Sequence, residues 1–119
     1  MLSAPNRIAV MGSGSWGTTF AKVLADSDPS VPVVLWARRD AVVQEINEHH
    51  TNSTYLGDTA LPANISATVN PREALKGASL VILAVPAQSL RSQLEAWGEA
   101  ISPDAVVVSV HSLHPVPVR

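Results

Sequence analysis

The stretch that decides the fold is Ile8–Gly17, which reads IAVMGSGSWG. Its apolar half predicts a buried parallel strand over residues 7–11. The second half, called the glycine loop here, has Gly12, Gly14 and Gly17 at the spacing G-x-G-x-x-G. Gly12 permits a tight turn off the strand, Gly14 lets a pyrophosphate approach the backbone, and Gly17 lets a following helix pack close to the strand. Between a strand and a helix, this loop favours dinucleotide binding over a purely structural turn.

The chain as a whole alternates between predicted strands and predicted helices. Further strands are expected at residues 31–36, 65–69, 79–85 and 106–108, and helices at residues 15–25, 41–48, 70–77 and from Pro86 onward, with a polar loop over residues 49–64. This order predicts an α/β fold, a Rossmann-like, doubly wound and mostly parallel sheet with helices on both faces and right-handed crossovers.

Three segments add detail to this prediction. The run Ser79–Val85, SLVILAV, is apolar throughout, which is typical of a central parallel strand covered on both faces. Asn70 is expected to cap a helix with Pro71 at its first position and Glu73 at its third. The last helix is expected to carry four large apolar side chains on one face, those of Leu90, Leu94, Trp97 and Ile101.

The composition is that of one folded domain, because 46% of the 119 residues are hydrophobic and 15% are charged. A net charge of -2 provides no basic surface of the kind that binds nucleic acid. The lack of cysteine excludes disulfides and thiolate metal sites, and the histidines lack metal-ligand spacing. No run approaches the roughly 18 apolar residues of a membrane span, and no signal-peptide pattern is visible, so we expect a cytoplasmic protein.

The end of the second predicted strand suggests which dinucleotide binds. An acid at this point would accept hydrogen bonds from the adenosine ribose and favour NAD. The chain instead has Arg38 and Arg39, whose guanidinium groups can bind a 2′-phosphate through forked, charge-assisted hydrogen bonds. The pair therefore favours NADP over NAD. Two alternatives stay open: both arginines are solvated charges, or Asp40 caps the next helix while one arginine stacks on the adenine.

Five stretches together resemble the bacterial NAD(P)-dependent glycerol-3-phosphate dehydrogenases, over about residues 7–109. The glycine loop with its following helix, the strand end containing the arginine pair, and a Tyr-Leu…Leu-Pro segment are specific in combination. The stretches are GSGSWGTTFAKVLA (Gly12–Ala25), VLWARR (Val34–Arg39), YLGDTALPANISAT (Tyr55–Thr68), AVPAQSLR (Ala84–Arg91) and SPDAVVVS (Ser102–Ser109).

The resemblance implies reversible hydride transfer between NAD(P)H and dihydroxyacetone phosphate, giving sn-glycerol 3-phosphate for phospholipid synthesis. It implies that Ser15 and Trp16 contact the cofactor, that Tyr55 lies near it, and that Pro86 shapes the nicotinamide pocket. Plainer alternatives are a core aromatic for Trp16, a loop anchor for Tyr55 and a strand end for Pro86. No residue is assigned a catalytic or metal-binding role. The implied cofactor-binding residues are Gly12, Ser13, Gly14, Ser15, Trp16, Gly17, Arg38, Arg39, Tyr55 and Pro86.

The chain departs from the family after Ser109. The family has a lysine and a glycine where this chain has Ser112 and Leu113, and that lysine stabilises negative charge on the substrate carbonyl. The family's second, helical substrate domain is absent from the 119 residues, which suggests a truncated or frameshifted product or a fragment. We therefore expect a single NAD(P)-binding domain at residues 1–110 and an irregular tail at residues 111–119. Such a chain should bind NADP(H) weakly without turnover, and self-associate through apolar surface at its late strands.

Three other functions are compatible with such a sheet. A non-catalytic NADP-binding module would explain the missing lysine. A related dehydrogenase of keto or imino acids would share the sheet, although the arginine pair and the Tyr55–Ala67 segment argue against it. A methyltransferase-like domain would use the glycine loop for an adenosyl cofactor, but such a ligand has no pyrophosphate for that loop to bind.

Overall fold

Five parallel strands form one sheet in the order β3-β2-β1-β4-β5, in a computed structural model that describes residues 5–110. The strands are β1 (Ile8–Met11), β2 (Val33–Trp36), β3 (Ile65–Thr68), β4 (Leu80–Leu83) and β5 (Val106–Ser109). The helices are α1 (Ser15–Ser27), α2 (Asp40–His49), α3 (Ser53–Leu56), α4 (Pro71–Leu75) and α5 (Ala87–Trp97), followed by a 3-10 turn at Gly98–Ala100. The expected tail at residues 111–119 lies outside the described residues.

The strands are paired so that their carboxyl ends form one row, made up of Met11, Trp36, Thr68, Leu83 and Ser109. From β1 the chain continues to β2 and β3 on one side, and then crosses over to β4 on the other. The segments that follow β1 and β4 therefore separate from each other at this edge. Doubly wound sheets bind their ligands in the crevice that this reversal creates.

Alternation of side chains along the strands produces a core on each face of the sheet. Val10 of β1 packs in one layer with Ile46 of α2, and neither side chain is exposed. The next residue, Met11, packs in the opposite layer with Leu75 of α4 and Trp97 of α5. The fold class expected from the sequence is thus confirmed, with helices on both faces of a fully parallel sheet.

Most predicted elements are present, and the differences have local causes. Asn70 caps α4 as expected, because its side chain accepts hydrogen bonds from the backbone N–H groups of Arg72 and Glu73. The predicted loop at residues 49–64 contains α3, which is too short to show a helical period. The last helix ends at Trp97, so the prediction that it extends to Ile101 is wrong: the chain tightens into a 3-10 turn at Gly98.

Strand β5 differs from the others in its exposure. The side chains of Val106, Val107 and Val108 are 60%, 44% and 42% exposed, whereas Val81, Ile82 and Leu83 of the neighbouring strand are buried. The expected apolar surface at the late strands is therefore present within the described residues. No helix among residues 5–110 is long and apolar enough to cross a membrane.

Gly17 brings α1 into direct contact with the turn that precedes it. A Cβ atom on Gly17 would lie 1.9 Å from the carbonyl oxygen of Gly12, which is a backbone atom and cannot move aside cheaply. Gly12 itself has φ +132°, and a Cβ there would lie 2.6 Å from the carbonyl oxygen of Ala84. Gly17 is thus needed for packing, as the spacing predicts, and the positive φ at Gly12 suits the tight turn expected there.

Replacing Gly17 with alanine should lower the free energy of unfolding by about 3 kcal/mol or more, because the methyl group overlaps a backbone oxygen. Gly14→Ala is the matched control, since a Cβ at Gly14 would have no atom within 4 Å and its φ is -70°. Chemical denaturation of both variants measures the difference. Equal stability of the two variants would contradict this packing role.

Glu45 of α2 holds the beginning of α3. Its Oε2 atom accepts hydrogen bonds from the Thr51 hydroxyl at 2.6 Å and from the Ser53 backbone N–H at 2.8 Å, and its Oε1 atom accepts from the Ser53 hydroxyl at 3.2 Å. These bonds, the one from Thr51 above all, hold the pKa of the Glu45 carboxyl below its usual 4.5. The segment between α2 and α3 is thereby fixed by a charged acceptor.

Replacing Glu45 with glutamine should lower the Tm at neutral pH. Because folding lowers the pKa of Glu45 from 4.5, its contribution is present above that value and is lost as the pH falls through the folded-state pKa. The Tm difference between the wild type and Glu45→Gln should therefore be largest near pH 7 and fade in acid, as the pH falls below 4.5 and through the lower folded-state pKa. Glu48→Gln, on the same helix, is the control. A Tm difference that persists unchanged in acid would rule this role out.

Candidate functional site

A cavity of about 630 Å³ opens at the carboxyl edge of the sheet, within the size range of sites that bind small molecules. Four segments meet around it: the glycine loop after β1, the end of β2 with the beginning of α2, the helix α3, and the end of β4. The lining residues are Gly12, Ser13, Gly14, Ser15, Trp16, Trp36, Arg38, Arg39, Val42, Thr54, Tyr55, Ala84, Val85 and Pro86.

The glycine loop presents the amino end of α1 to this cavity. Gly14 is the N-cap residue in an extended conformation and has no side chain to cap the helix, and the first turn of α1 carries no acidic residue. A side chain at Gly14 would project into open space, so its absence keeps the approach to the backbone clear. Uncapped N–H groups at the end of a 13-residue helix attract anions, and phosphate above all.

The arginine pair lies at the end of β2, on the wall of the same cavity. Arg38 and Arg39 are both exposed, and Arg39 is the N-cap residue of α2. Within residues 5–110 the ion pairs are Lys22–Asp26 and Arg72–Glu99, so neither guanidinium is neutralised by a carboxylate there. The cavity wall thus has two forked cationic donors and no acidic side chain.

Aromatic side chains line the remaining wall. Trp16 is 37% exposed, with its ring centroid 6.3 Å from that of Phe20, and Tyr55 of α3 is 45% exposed. The alternative that Trp16 is a core aromatic is therefore wrong, because its side chain lies at the surface of the cavity. The orientation of the Trp36 ring is fixed by a hydrogen bond, which its indole N–H donates to the Val69 carbonyl at 2.9 Å.

Pro86 ends the segment that follows β4 and lines the same cavity as the glycine loop. The backbone N–H of Ala84 donates to the Met11 carbonyl at 3.0 Å, which extends the pairing of β4 with β1 up to the cavity. The carbonyl of Ala84 then lies against Gly12. The two strand ends are in contact here, and this contact sets the position of Pro86.

The structure brings together all but one of the sequence-predicted site residues. Gly17 does not line the cavity, because it is buried against the Gly12 carbonyl and acts by packing. Sequence reasoning missed the lining residues Trp36, Val42, Thr54, Ala84 and Val85. Ala84 and Val85 could have been inferred, since they precede Pro86 at a strand end, whereas Thr54 lies on a helix that no periodicity indicates.

Comparisons with known proteins agree with this arrangement. A family model described as the N-terminus of NAD-dependent glycerol-3-phosphate dehydrogenase matches residues 7–112. A relative from Corynebacterium urealyticum, named glycerol-3-phosphate dehydrogenase (NAD(P)+), is 56% identical over 104 residues, which cover 87% of this chain and 31% of the relative.

Two solved structures share the fold. Glycerol-3-phosphate dehydrogenase from Plasmodium falciparum has 32% identity and a TM-score of 0.75, covering 87% of this chain and 30% of that one. The enzyme from Coxiella burnetii has 25% identity and a TM-score of 0.79, covering 89% of this chain and 32% of that one. The chain therefore spans about a third of the length of the curated relatives and structures it matches. Because the family model matches residues 7–112, the chain belongs to the family of NAD-dependent glycerol-3-phosphate dehydrogenases and corresponds to their N-terminal part.

Proposed function

We propose that the cavity binds a nicotinamide dinucleotide, with NADP(H) favoured over NAD(H). One observation carries the proposal: the amino end of α1 opens onto the same cavity as the guanidinium groups of Arg38 and Arg39, which form no ion pair within residues 5–110. A ligand that suits both groups carries a pyrophosphate and, at some distance from it, a second anionic group. The family name and the names of the relatives support a nicotinamide cofactor.

Different lining residues would then bind different parts of the cofactor. The backbone of Gly12, Ser13, Gly14 and Ser15 would hold the pyrophosphate, with Gly17 acting only through packing. Arg38 and Arg39 would hold the adenosine 2′-phosphate. The lining side chains of Trp16, Tyr55 and Pro86 would shape the pocket for the nicotinamide end and limit the access of water.

The activity proposed for the whole enzyme is that of the family, with dihydroxyacetone phosphate and sn-glycerol 3-phosphate as substrate and product. When bound, the cofactor supplies the hydride, and the protein supplies position and electrostatics. We propose that this chain provides the cofactor half of that site without turnover of its own, since Ser112 stands where the family has its carbonyl-polarising lysine. Ser112 lies outside the described residues.

The domain division stays a prediction, with a cofactor-binding domain at residues 1–110 and a tail at residues 111–119. The cytoplasmic location and the role in phospholipid synthesis are likewise proposals.

A non-catalytic NADP-binding module is the second candidate function, because such a module would need the same cavity and no substrate site. Steady oxidation of NADPH by the purified chain with dihydroxyacetone phosphate, above a control without protein, would exclude both that candidate and the proposed lack of turnover.

Calorimetric titration of the chain with NADPH and NADH tests the proposed cofactor. NADPH should bind more tightly, because only NADPH carries the 2′-phosphate that the arginine pair can hold. The double variant Arg38→Ala/Arg39→Ala should lose about tenfold or more in NADPH affinity, since a hydrogen bond to a charged group contributes about 1.5–3 kcal/mol. NADH affinity should change by less than about threefold.

Arg91→Ala is the matched control, because Arg91 is an exposed arginine on α5 that does not line this cavity. Equal affinities of the wild type for NADPH and NADH would overturn the proposed NADP preference but not the proposed binding of a dinucleotide. Failure of both dinucleotides to bind, in a folded chain, would overturn the site itself.

We also propose that copies of the chain associate through the exposed valines of β5. Apolar side chains exposed on a strand at the end of the sheet favour burial against a partner. Sedimentation equilibrium should detect a concentration-dependent dimer, and Val107→Lys should weaken it. A monomer at every concentration would contradict this proposal.

A further inference from the structure

Asn52 lies behind the glycine loop, immediately before α3. It is fully buried, does not line the cavity and belongs to no sequence motif named above. Its side-chain Nδ2 atom donates to the Ser13 carbonyl at 3.0 Å and to the Thr18 hydroxyl at 2.9 Å. The Thr18 hydroxyl in turn donates to the same Ser13 carbonyl at 2.9 Å. The three residues close a hydrogen-bonded triangle around one backbone oxygen of the glycine loop.

This triangle fixes the orientation of the peptide that joins Ser13 to Gly14. A trans peptide is planar, and its C=O and N–H groups point in opposite directions. Because the Ser13 carbonyl points at Asn52 and Thr18, the Gly14 N–H must point away from them. Ser13 and Gly14 both line the cavity, whereas Asn52 and Thr18 do not. The triangle therefore turns an N–H donor away from the core at the place where the pyrophosphate is proposed to bind.

Asn52 also connects the two sides of the cavity. Its neighbours Thr51 and Ser53 are held by the Glu45 carboxylate, and Thr54 and Tyr55 of the cavity wall follow directly. The helix that carries Tyr55 is thus attached to α2 at one point and to the glycine loop at another. Fixing Asn52 sets the separation between these two walls.

The Asn52 amide is oriented at an energetic cost. Its Oδ1 atom is buried and has no hydrogen-bond partner among residues 5–110. Rotating the amide by a half-turn would bring this oxygen against the Ser13 carbonyl, where two acceptors repel. The donor is therefore required at this position, although the acceptor is left unsatisfied, which distinguishes Asn52 from a side chain that only fills space.

We propose that Asn52 is a positioning residue for the dinucleotide: it holds the Ser13 carbonyl so that the glycine loop presents its N–H groups to the pyrophosphate. The inference rests on the proposed function of the cavity. Since the pyrophosphate is common to NADPH and NADH, loss of Asn52 should weaken both dinucleotides alike. Loss of the arginine pair, by contrast, should affect NADPH selectively.

The test compares Asn52→Ala and Asn52→Asp with the wild-type chain. The aspartate variant has the same shape and lacks the Nδ2 donor. Asn64→Ala is the matched control, because Asn64 Nδ2 also donates to backbone carbonyls, those of Ala25, Asp28 and Val31, away from the cavity. Both Asn52 variants should lose about tenfold in affinity for NADPH and for NADH by calorimetry. Asn64→Ala should lower the Tm and leave both affinities within about twofold.

Unchanged affinities in a folded Asn52→Ala chain, or a loss that Asn64→Ala reproduces, would overturn the proposal. If the Asn52 variants do not fold, Thr18→Val replaces them: it removes the Thr18 hydroxyl from the triangle and should weaken both dinucleotides in the same way. Unchanged affinities in that variant would equally overturn the proposal.

If the wild type binds neither dinucleotide, the proposed function fails, and amide hydrogen exchange decides the structural claim separately. The amides of residues 13–17 should then exchange faster in Asn52→Ala, or in Thr18→Val if the Asn52 variants do not fold, than in Asn64→Ala. Equal exchange rates would overturn the proposal.

Discussion

The contact between Gly17 and the Gly12 carbonyl is the constraint on which the site depends. It allows α1 to begin directly beyond the end of β1, so that the helix axis points its amino end at the crevice in the sheet. A side chain at Gly17 would push the helix away, and the N–H groups would then no longer meet the wall formed by β2 and β4. Binding by the glycine loop therefore depends on the packing of Gly17 against the Gly12 carbonyl.

The parallel register of the strands places the glycine loop next to the other segments that line the cavity. Because Met11, Trp36 and Leu83 end their strands in one row, the glycine loop, the arginine pair and Pro86 emerge side by side. Each comes from a different part of the sequence, and the sheet brings all three to this edge. The remaining wall is attached through side chains, with Glu45 fixing the beginning of α3 and Asn52 tying it to Ser13.

The sequence predicts well those features that repeat or follow a fixed spacing. The apolar runs indicate the strands, the glycine spacing indicates the turn, and Asn70 with Pro71 indicates a helix start. Helix α3 and the role of Asn52 could not be predicted in this way. Both depend on hydrogen bonds between residues far apart in the chain, such as the bond from Asn52 to Ser13, and neither has a period or a motif. The exposure of Val107 on β5 has no local signature in the valine run either, and it is expected only because the family resemblance implies a further domain beyond this sheet.

We propose, then, that one cavity binds both the pyrophosphate and the adenosine phosphate of a nicotinamide dinucleotide. Backbone amide shifts of the isotope-labelled chain, recorded by NMR during addition of NADPH, test it most directly. The largest shift changes should fall at residues 12–17, at Arg38 and Arg39, and at Tyr55. Changes concentrated on α5 and β5, with the glycine loop unaffected, would contradict it.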